Sequence, residues 1–286
     1  MLYSVLEGGL GNQLFQCCFA FAIGEKTGEK VKLDLTGYCF AKGRKPDILK
    51  FKISDHIENC KFPRGMRLWW LGYLGSIIRI KFSGKAHKIN LSNYQKVQWI
   101  TEENENILKR DSRVGICKGY FQSERFFLSY REKLLPLLEP KYEYSEEIKM
   151  LMKKITQEES VSLHIRRGDY VFLGISMELD YYYKAIEYLA DVVEKKFKIY
   201  VFSDDINWAR ENLKLSEYDM EFIHLENETA DVDEMMLMSK CKNNIIANST
   251  YSWWGAWLNQ NKGKIVIAPN IAFNNTNIIP NEWIRI

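Results

Sequence analysis

The sequence predicts an α/β protein built from two Rossmann-like domains, and three observations predict it. From about residue 160 to 268, short apolar strands alternate with amphipathic helices, the pattern of a parallel sheet with helices on both faces. Residues 2–35 read as strand, glycine-rich turn, helix and strand, the start of a second such unit. The 286 residues exceed one ordinary core, at ~100–200 residues per domain. A boundary at the Pro140–Tyr144 linker gives domains 1–144 and 145–286.

The elements follow in order. Leu2–Leu6 is an apolar strand. Gly8-Gly9-Leu10-Gly11-Asn12-Gln13 turns it into a helix that runs to about Lys26 and stops at Thr27-Gly28. The turn departs from a dinucleotide fingerprint, because Leu14 stands where a third glycine would be. Strand Val31–Leu35 follows. Thr36–Gln98 is poorly periodic. Within it Arg64–Lys81 has basic ends around Trp69 and Trp70, which suits either a membrane surface or an internal helix. Gly115–Gln122 leads as a strand into a helix over Ser123–Leu138, with Ser123 as N-cap. A charged helix, Ser145–Thr156, precedes the central strand. Further helices are expected at 180–196, 206–213, 231–241 and 251–259, and strands at 199–203, 220–225, 244–247 and 264–268.

Composition excludes several classes. Net charge is only +3, so no nucleic-acid partner is implied. No run of ~18 apolar residues offers a membrane span, and no basic-then-apolar leader is evident. The six cysteines lack C-x-x-C spacing, which argues against zinc and for a reducing compartment.

The chemistry gathers at strand ends. Val161-Ser-Leu-His164-Ile-Arg166-Arg167-Gly168-Asp169-Tyr170 is a strand that breaks into paired arginines. Ser203-Asp204-Asp205 ends a second strand and Asn248-Ser249-Thr250 a third. In a parallel sheet these ends share one edge, where open α/β sheets bind ligands. Arginine forks match phosphate, and a strand-to-helix turn at Ser249-Thr250 offers backbone N–H groups to an anion. Together they suggest a nucleotide diphosphate site, in which Asp204 would bond ribose hydroxyls or a guanine N–H edge. Bland alternatives stand beside this: the arginines as a surface salt-bridge cluster, Asp205, Ser249 and Thr250 as plain helix caps, and His164 as a core residue. Asp231-Val-Asp233 is either a metal-binding D-x-D or the acidic first turn of a helix. Trp253, Trp254 and Trp257 fit a core more readily than a sugar-binding platform.

Five blocks in order resemble a known family: Gly8–Gln16, His164–Tyr170, Phe202–Asp205, Leu237–Cys241 and Ile246–Leu258. They are similar to those of the bacterial α-1,2-fucosyltransferases of glycosyltransferase family 11. The resemblance implies a GT-B-like fold with the donor site in the cleft, and inverting transfer of L-fucose from GDP-β-L-fucose to O2 of a terminal β-galactose. It implies no metal cofactor. It assigns the β-phosphate to Arg166 and brings Gly9, Gly11, Asn12 and Gln13 to the reaction centre. His164, Arg167, Asp204, Asp205, Asn248, Ser249 and Thr250 complete the expected donor site. Asp169, the acid nearest the arginines, is either the catalytic base or an ion-pair partner that orients Arg166 or Arg167. The expected setting is cytoplasmic, on a lipid-linked acceptor glycan, with peripheral contact at the inner face of the membrane.

Overall fold

The structure is a computed structural model that describes residues 2–39, 43–60, 97–100, 114–270 and 278–286. Arg64–Lys81, with Trp69 and Trp70, lies outside the described residues. Two compact units are present: Met1–Phe121 with Arg125–Glu139, and Gln122–Glu124 with Pro140–Ile286.

The first unit is a five-stranded sheet of order β3-β2-β1-β5-β4. Its strands are β1 Leu2–Val5, β2 Val31–Asp34, β3 Glu58–Cys60, β4 Val97–Ile100 and β5 Val114–Cys117, all parallel. β3 and β4 fall in stretches where no strand was expected. At three and four residues they are too short to show a period of two. Helix α1 (Leu10–Thr27) buries Leu14, Phe15, Phe19 and Ile23. Gly28 at φ 68° caps it in the left-handed region, the usual glycine stop. Helix α2 is a single turn, Ile53–His56.

The helix expected over Ser123–Leu138 does not form as one piece. Two 3₁₀ turns, Glu124–Phe126 and Leu128–Tyr130, precede a short helix α3, Arg131–Leu137. The reason is packing. Phe126 and Phe127 both meet α1, against Phe19 and Phe15 respectively, whereas consecutive residues of a regular helix face ~100° apart. Phe127 sits at φ −141°, ψ 0° and breaks the spiral. Phe121 is held at φ 51°, a strained backbone for an aromatic residue. Its ring stacks on Phe19 with centroids 3.8 Å apart.

The second unit is a six-stranded parallel sheet of order β11-β10-β9-β6-β7-β8. The strands are β6 Ser160–Ile165, β7 Lys198–Ser203, β8 Asp219–Ile223, β9 Asn243–Ile245, β10 Val266–Ala268 and β11 Ile284–Arg285. Read from β8, this is the doubly wound 3-2-1-4-5-6 order, which reverses between β6 and β9. The helices are α4 Glu146–Gln157, α5 Gly168–Leu173, α6 Leu179–Val192, α7 Ile206–Asn212, α8 Ala230–Lys240 and α9 Thr250–Leu258. Ser145 caps α4 by accepting from Ile148 N–H. β6 is buried along its whole length. Val161, Leu163 and Ile165 join Tyr182, Ile186 and Leu189 of α6 in one core. Trp253, Trp254 and Trp257 of α9 are interior. Trp253 Nε1 donates to the Ile278 carbonyl at 2.8 Å, and Trp257 Nε1 donates to Glu124 at 3.0 Å. Rings so placed cannot serve as a sugar platform, so the binding-module reading fails. No helix among the described residues is long and apolar enough to cross a membrane.

Candidate functional site

The three polar strand ends of the second unit stand side by side, because β9, β6 and β7 are neighbours. Ile165 is in register with Ser203, so Arg166 comes level with Asp204 one step beyond. The site therefore lies at the switch point between β6 and β9 and the strand beside it, outside the carboxyl edge of the sheet.

Arg166 is the centre of the site. Its Nη1 meets Asp204 Oδ2 at 3.0 Å and its Nη2 donates to Asp169 Oδ1 at 2.7 Å. Burial opposes its charge, but Asp204 and Asp169 outweigh that and hold the guanidinium cationic. A guanidinium has five N–H donors, and these carboxylates engage only part of the fork. Nε is buried and has no hydrogen-bond partner among the described residues. The ring of Tyr170 lies 5.3 Å below the guanidinium carbon.

Asp204 does not present an unoccupied carboxylate to a ribose or a base. Oδ1 accepts from the Arg167 backbone N–H at 2.8 Å and Oδ2 takes Arg166. Gly168 is required here for a close approach: an added Cβ would collide with Asp204 Oδ2. The same glycine opens α5, a short helix the sequence pattern did not reveal.

Arg167 takes a different course from Arg166. Its guanidinium lies 3.5 Å over the ring of Trp208, and its Nε meets Asp205 Oδ2 at 3.3 Å. Asp205 also caps α7, accepting from Trp208 N–H at 3.2 Å. The second arginine thus staples the turn after β7 rather than lining the edge with the first. Trp208 was missed; its signal is an aromatic three residues after a capping acid, where it closes the cap.

On the other side, Asn248 Nδ2 donates to the Ile175 carbonyl at 2.8 Å, while Asn248 Oδ1 is buried without a hydrogen-bond partner among the described residues. Ser249 caps α9, its Oγ accepting from Tyr251 N–H at 3.3 Å, and Thr250 begins the helix. His164 is buried against Tyr251, ring centroids 5.4 Å apart. Burial, with the nearby Arg166 charge, pushes it down to about 3. The imidazole is neutral at pH 7, and Nδ1 is another buried atom with no hydrogen-bond partner among the described residues.

The D-x-D acids sit in the first turn of α8. Asp233 is buried and accepts from Tyr142 and Thr229 hydroxyls at 2.7 and 2.6 Å, which is structural use. Among the described residues, no three His, Cys, Asp or Glu are grouped to hold a metal ion.

Glu234, next along the helix, was not singled out by sequence. Its Oε1 accepts from Leu225 N–H at 2.9 Å. Burial, with Asp231 and Asp233 adding and the Leu225 bond opposing, pushes its carboxyl up to about 7. A carboxyl raised in this way favours the folded state fully below its unfolded value near 4.3. That contribution is lost as pH rises through about 7. Glu234→Gln should therefore match wild type near pH 4 and be the more stable protein at pH 8, by up to about 3 kcal/mol. Paired urea melts across this range check it. A constant difference at every pH would contradict the shift.

The glycine-rich turn belongs to the first unit. Gly8 is at φ 86°, where L side chains are strained. Gln13, expected to face the reaction centre, is instead fully buried. Its Nε2 donates to the carbonyls of Gly8 and Lys45, and its Oε1 accepts from Ile48 N–H. It ties the turn to residues 45–48. Gly9 is the N-cap of α1 with Arg44 Nη1 close by, 3.2 Å from where a Cβ would be. Gly11 and Asn12 lie in the first turn of α1, with Asn12 N–H donating to the Gly9 carbonyl at 3.0 Å.

The sequence model of glycosyl transferase family 11 matches residues 1–286. The O-antigen biosynthesis glycosyltransferase WbnK of Escherichia coli is 32% identical over 314 aligned positions, covering 100% of both chains. An α-1,2-colitosyltransferase of the same organism is 32% identical over 303 positions, covering 98% of this chain and 97% of its own. The galactoside α-(1,2)-fucosyltransferase 2 of Rattus norvegicus is 27% identical, over 65% of this chain and 55% of its own. Among solved structures, the fucosyltransferase NodZ from Bradyrhizobium aligns with TM-score 0.53 at 11% identity, covering 89% of this chain and 92% of its own. That likeness is one of fold, and the fold is GT-B-like, as expected. With a match along its whole length, the chain belongs to glycosyltransferase family 11.

Proposed function

We propose that this glycosyltransferase is an inverting α-1,2-fucosyltransferase that moves L-fucose from GDP-β-L-fucose to O2 of a terminal β-galactose. One observation carries the donor site: three buried polar atoms, Arg166 Nε, His164 Nδ1 and Asn248 Oδ1, have no hydrogen-bond partner among the described residues and lie at the adjoining ends of β6 and β9. Buried polar atoms are nearly always satisfied, so a cluster of exceptions at a ligand edge calls for a polar ligand. A fixed cation and the backbone N–H groups around Ser249 and Thr250 suit a diphosphate.

In this reading galactose O2 attacks fucose C1 on the face opposite the diphosphate. The C1–O bond breaks and its electron pair leaves on GDP, where Arg166 stabilises the charge. The hydroxyl proton passes to a base, for which Asp169 is the candidate. Asn12, Gly9 and Gly11 enter through the family resemblance alone. The acceptor is lipid-linked, in the cytoplasm, and needs only peripheral contact with the membrane.

A second reading, colitosyl transfer, is favoured by the 32% identical colitosyltransferase. Colitose is L-fucose without its 3-hydroxyl, so the two donors share every group that Arg166 would meet. The protein, GDP-fucose or GDP-colitose and a panel of β-galactosides, with excess EDTA, decide between them by product mass and anomeric NMR. Fucosylated α-1,2 product in EDTA is the expected result. Product from GDP-colitose alone would replace the donor, and activity restored only by manganese would overturn the metal-free mechanism.

A further inference from the structure

Gln16, the last residue of the glycine-turn block, is fully buried on α1. Its amide spans the ends of two neighbouring strands of the first unit. Oε1 accepts from Glu7 N–H at 3.0 Å, and Nε2 donates to the Gly119 carbonyl at 3.1 Å. β1 and β5 pair in parallel with Ser4 in register with Cys117. Glu7 and Tyr120 each stand three residues past that pair, so both lie at the carboxyl edge of the sheet. The same edge is tied twice more. The Tyr38 hydroxyl donates to the Gly8 carbonyl at 2.9 Å, and Gln13 bonds Lys45 and Ile48. Side chains that fix loop backbones in this way hold whatever the loops present in one geometry. What these loops present is an aromatic ring and a carboxylate. Tyr120 is 41% exposed, yet the next residue, Phe121, is fully buried. Phe121 is held at φ 51° and stacked on Phe19, and backbone strain of this kind gathers at functional positions. Among the described residues the Glu7 carboxylate makes no hydrogen bond and no ion pair. Burial, then the Glu7 charge, pushes the Tyr120 phenol up while Arg44 opposes, which places the carboxylate and the ring near one another.

We propose that Glu7 and Tyr120 form the subsite for the terminal hexose of the acceptor glycan, the carboxylate accepting from sugar hydroxyls and the ring covering an apolar face of the sugar. The proposal rests on the acceptor reading above and gives it residues. The chemistry selects a neutral sugar. An ionised carboxylate only accepts, so it suits a ligand rich in O–H donors, and it repels a second phosphate. Hydrogen bonds to a charged group are short and directional, which fixes the sugar's orientation. β-Galactose gathers the C–H groups of C3, C4 and C5 on one face, and an aromatic ring can bury that face without desolvating a hydroxyl. Both residues belong to the first unit, and neither is among the groups that would hold the diphosphate.

Steady-state kinetics with GDP-fucose and the β-galactoside panel, beside saturation-transfer NMR of methyl β-galactoside with GDP present, test this on wild type, Glu7→Gln, Glu7→Ala, Tyr120→Ala and Tyr120→Trp. Glu7→Ala should raise the acceptor KM about 10-fold, the order of one hydrogen bond to a charged group. Glu7→Gln keeps an accepting oxygen and should recover part of that loss. Tyr120→Ala should raise the acceptor KM about 5-fold, within the range of one aromatic contact, and Tyr120→Trp should restore it. The donor KM, and kcat at saturating galactoside, should stay within about 2-fold of wild type in all four variants, because only acceptor binding is removed. A merely structural disturbance of the turn would move these as well. In wild type the galactoside protons on C3, C4 and C5 should receive the strongest transfer, and Tyr120→Ala should lose it. An acceptor KM unchanged in either alanine variant, or a donor KM that rises with it, overturns the subsite. If wild type transfers to no β-galactoside and methyl β-galactoside receives no transfer, the acceptor reading itself has failed and the subsite falls with it.

Discussion

Arg166→Ala should lower transfer turnover by about 100- to 1000-fold, the usual cost of removing one preorganised contact to developing charge. The size of the effect follows from the setting. The guanidinium is held by Asp204, 3.0 Å away, so its orientation costs little at the moment of bond breaking. Its Nε is buried with no hydrogen-bond partner among the described residues, so the fork retains donor capacity for a ligand. Arg166→Lys should recover little. An ammonium keeps the charge but cannot bond Asp204 and a phosphate through one rigid plane. Steady-state rates with saturating donor and acceptor measure the loss. A turnover within a few-fold of wild type would remove Arg166 from the mechanism.

Trp253→Ala should destabilise the second unit by about 3–5 kcal/mol, the range for truncating a buried aromatic. Trp253 is fully buried and meets three other tryptophans: Trp254 edge-on at 5.0 Å, Trp257 stacked at 6.1 Å and Trp283 at 5.4 Å. The truncation opens a cavity among them and leaves the Ile278 carbonyl without its Nε1 donor. Trp253→Phe should cost less, since it keeps an aromatic ring while losing that hydrogen bond. Guanidinium melts followed by far-UV dichroism report the shift in midpoint. A change below about 1 kcal/mol would contradict the core role, because surface substitutions fall within ~0.5 kcal/mol.

Much of the second unit was legible because its signals are local. The apolar runs of β6 and β7 and the caps Asp205 and Ser249 each depend on residues within about four positions, as does the glycine stop at Gly28 in the first unit. The weakest elements were not legible. β11 is two residues long and β3 three, and strands that short form because a neighbour offers hydrogen bonds, not because their own pattern demands it. The break at Phe127 likewise has a non-local cause, α1 more than a hundred residues earlier in the chain.

By itself, the sequence determined that this chain is a two-unit α/β protein, that three polar strand ends share one sheet edge, and which family it joins. These follow from periodicity, strand direction and a few rare residue blocks. Only the tertiary structure decided what the polar groups do there. It set Arg166 between Asp169 and Asp204, turned Arg167 away onto Trp208, engaged both oxygens of Asp204, and buried Gln13 against Lys45 and Ile48. The physical reason is reach. Asp204 lies 37 positions beyond the Arg167 N–H it holds, and only the register of β6 against β7 makes them neighbours. Burial then decides which of those neighbours remain bonded to one another and which are left for a ligand.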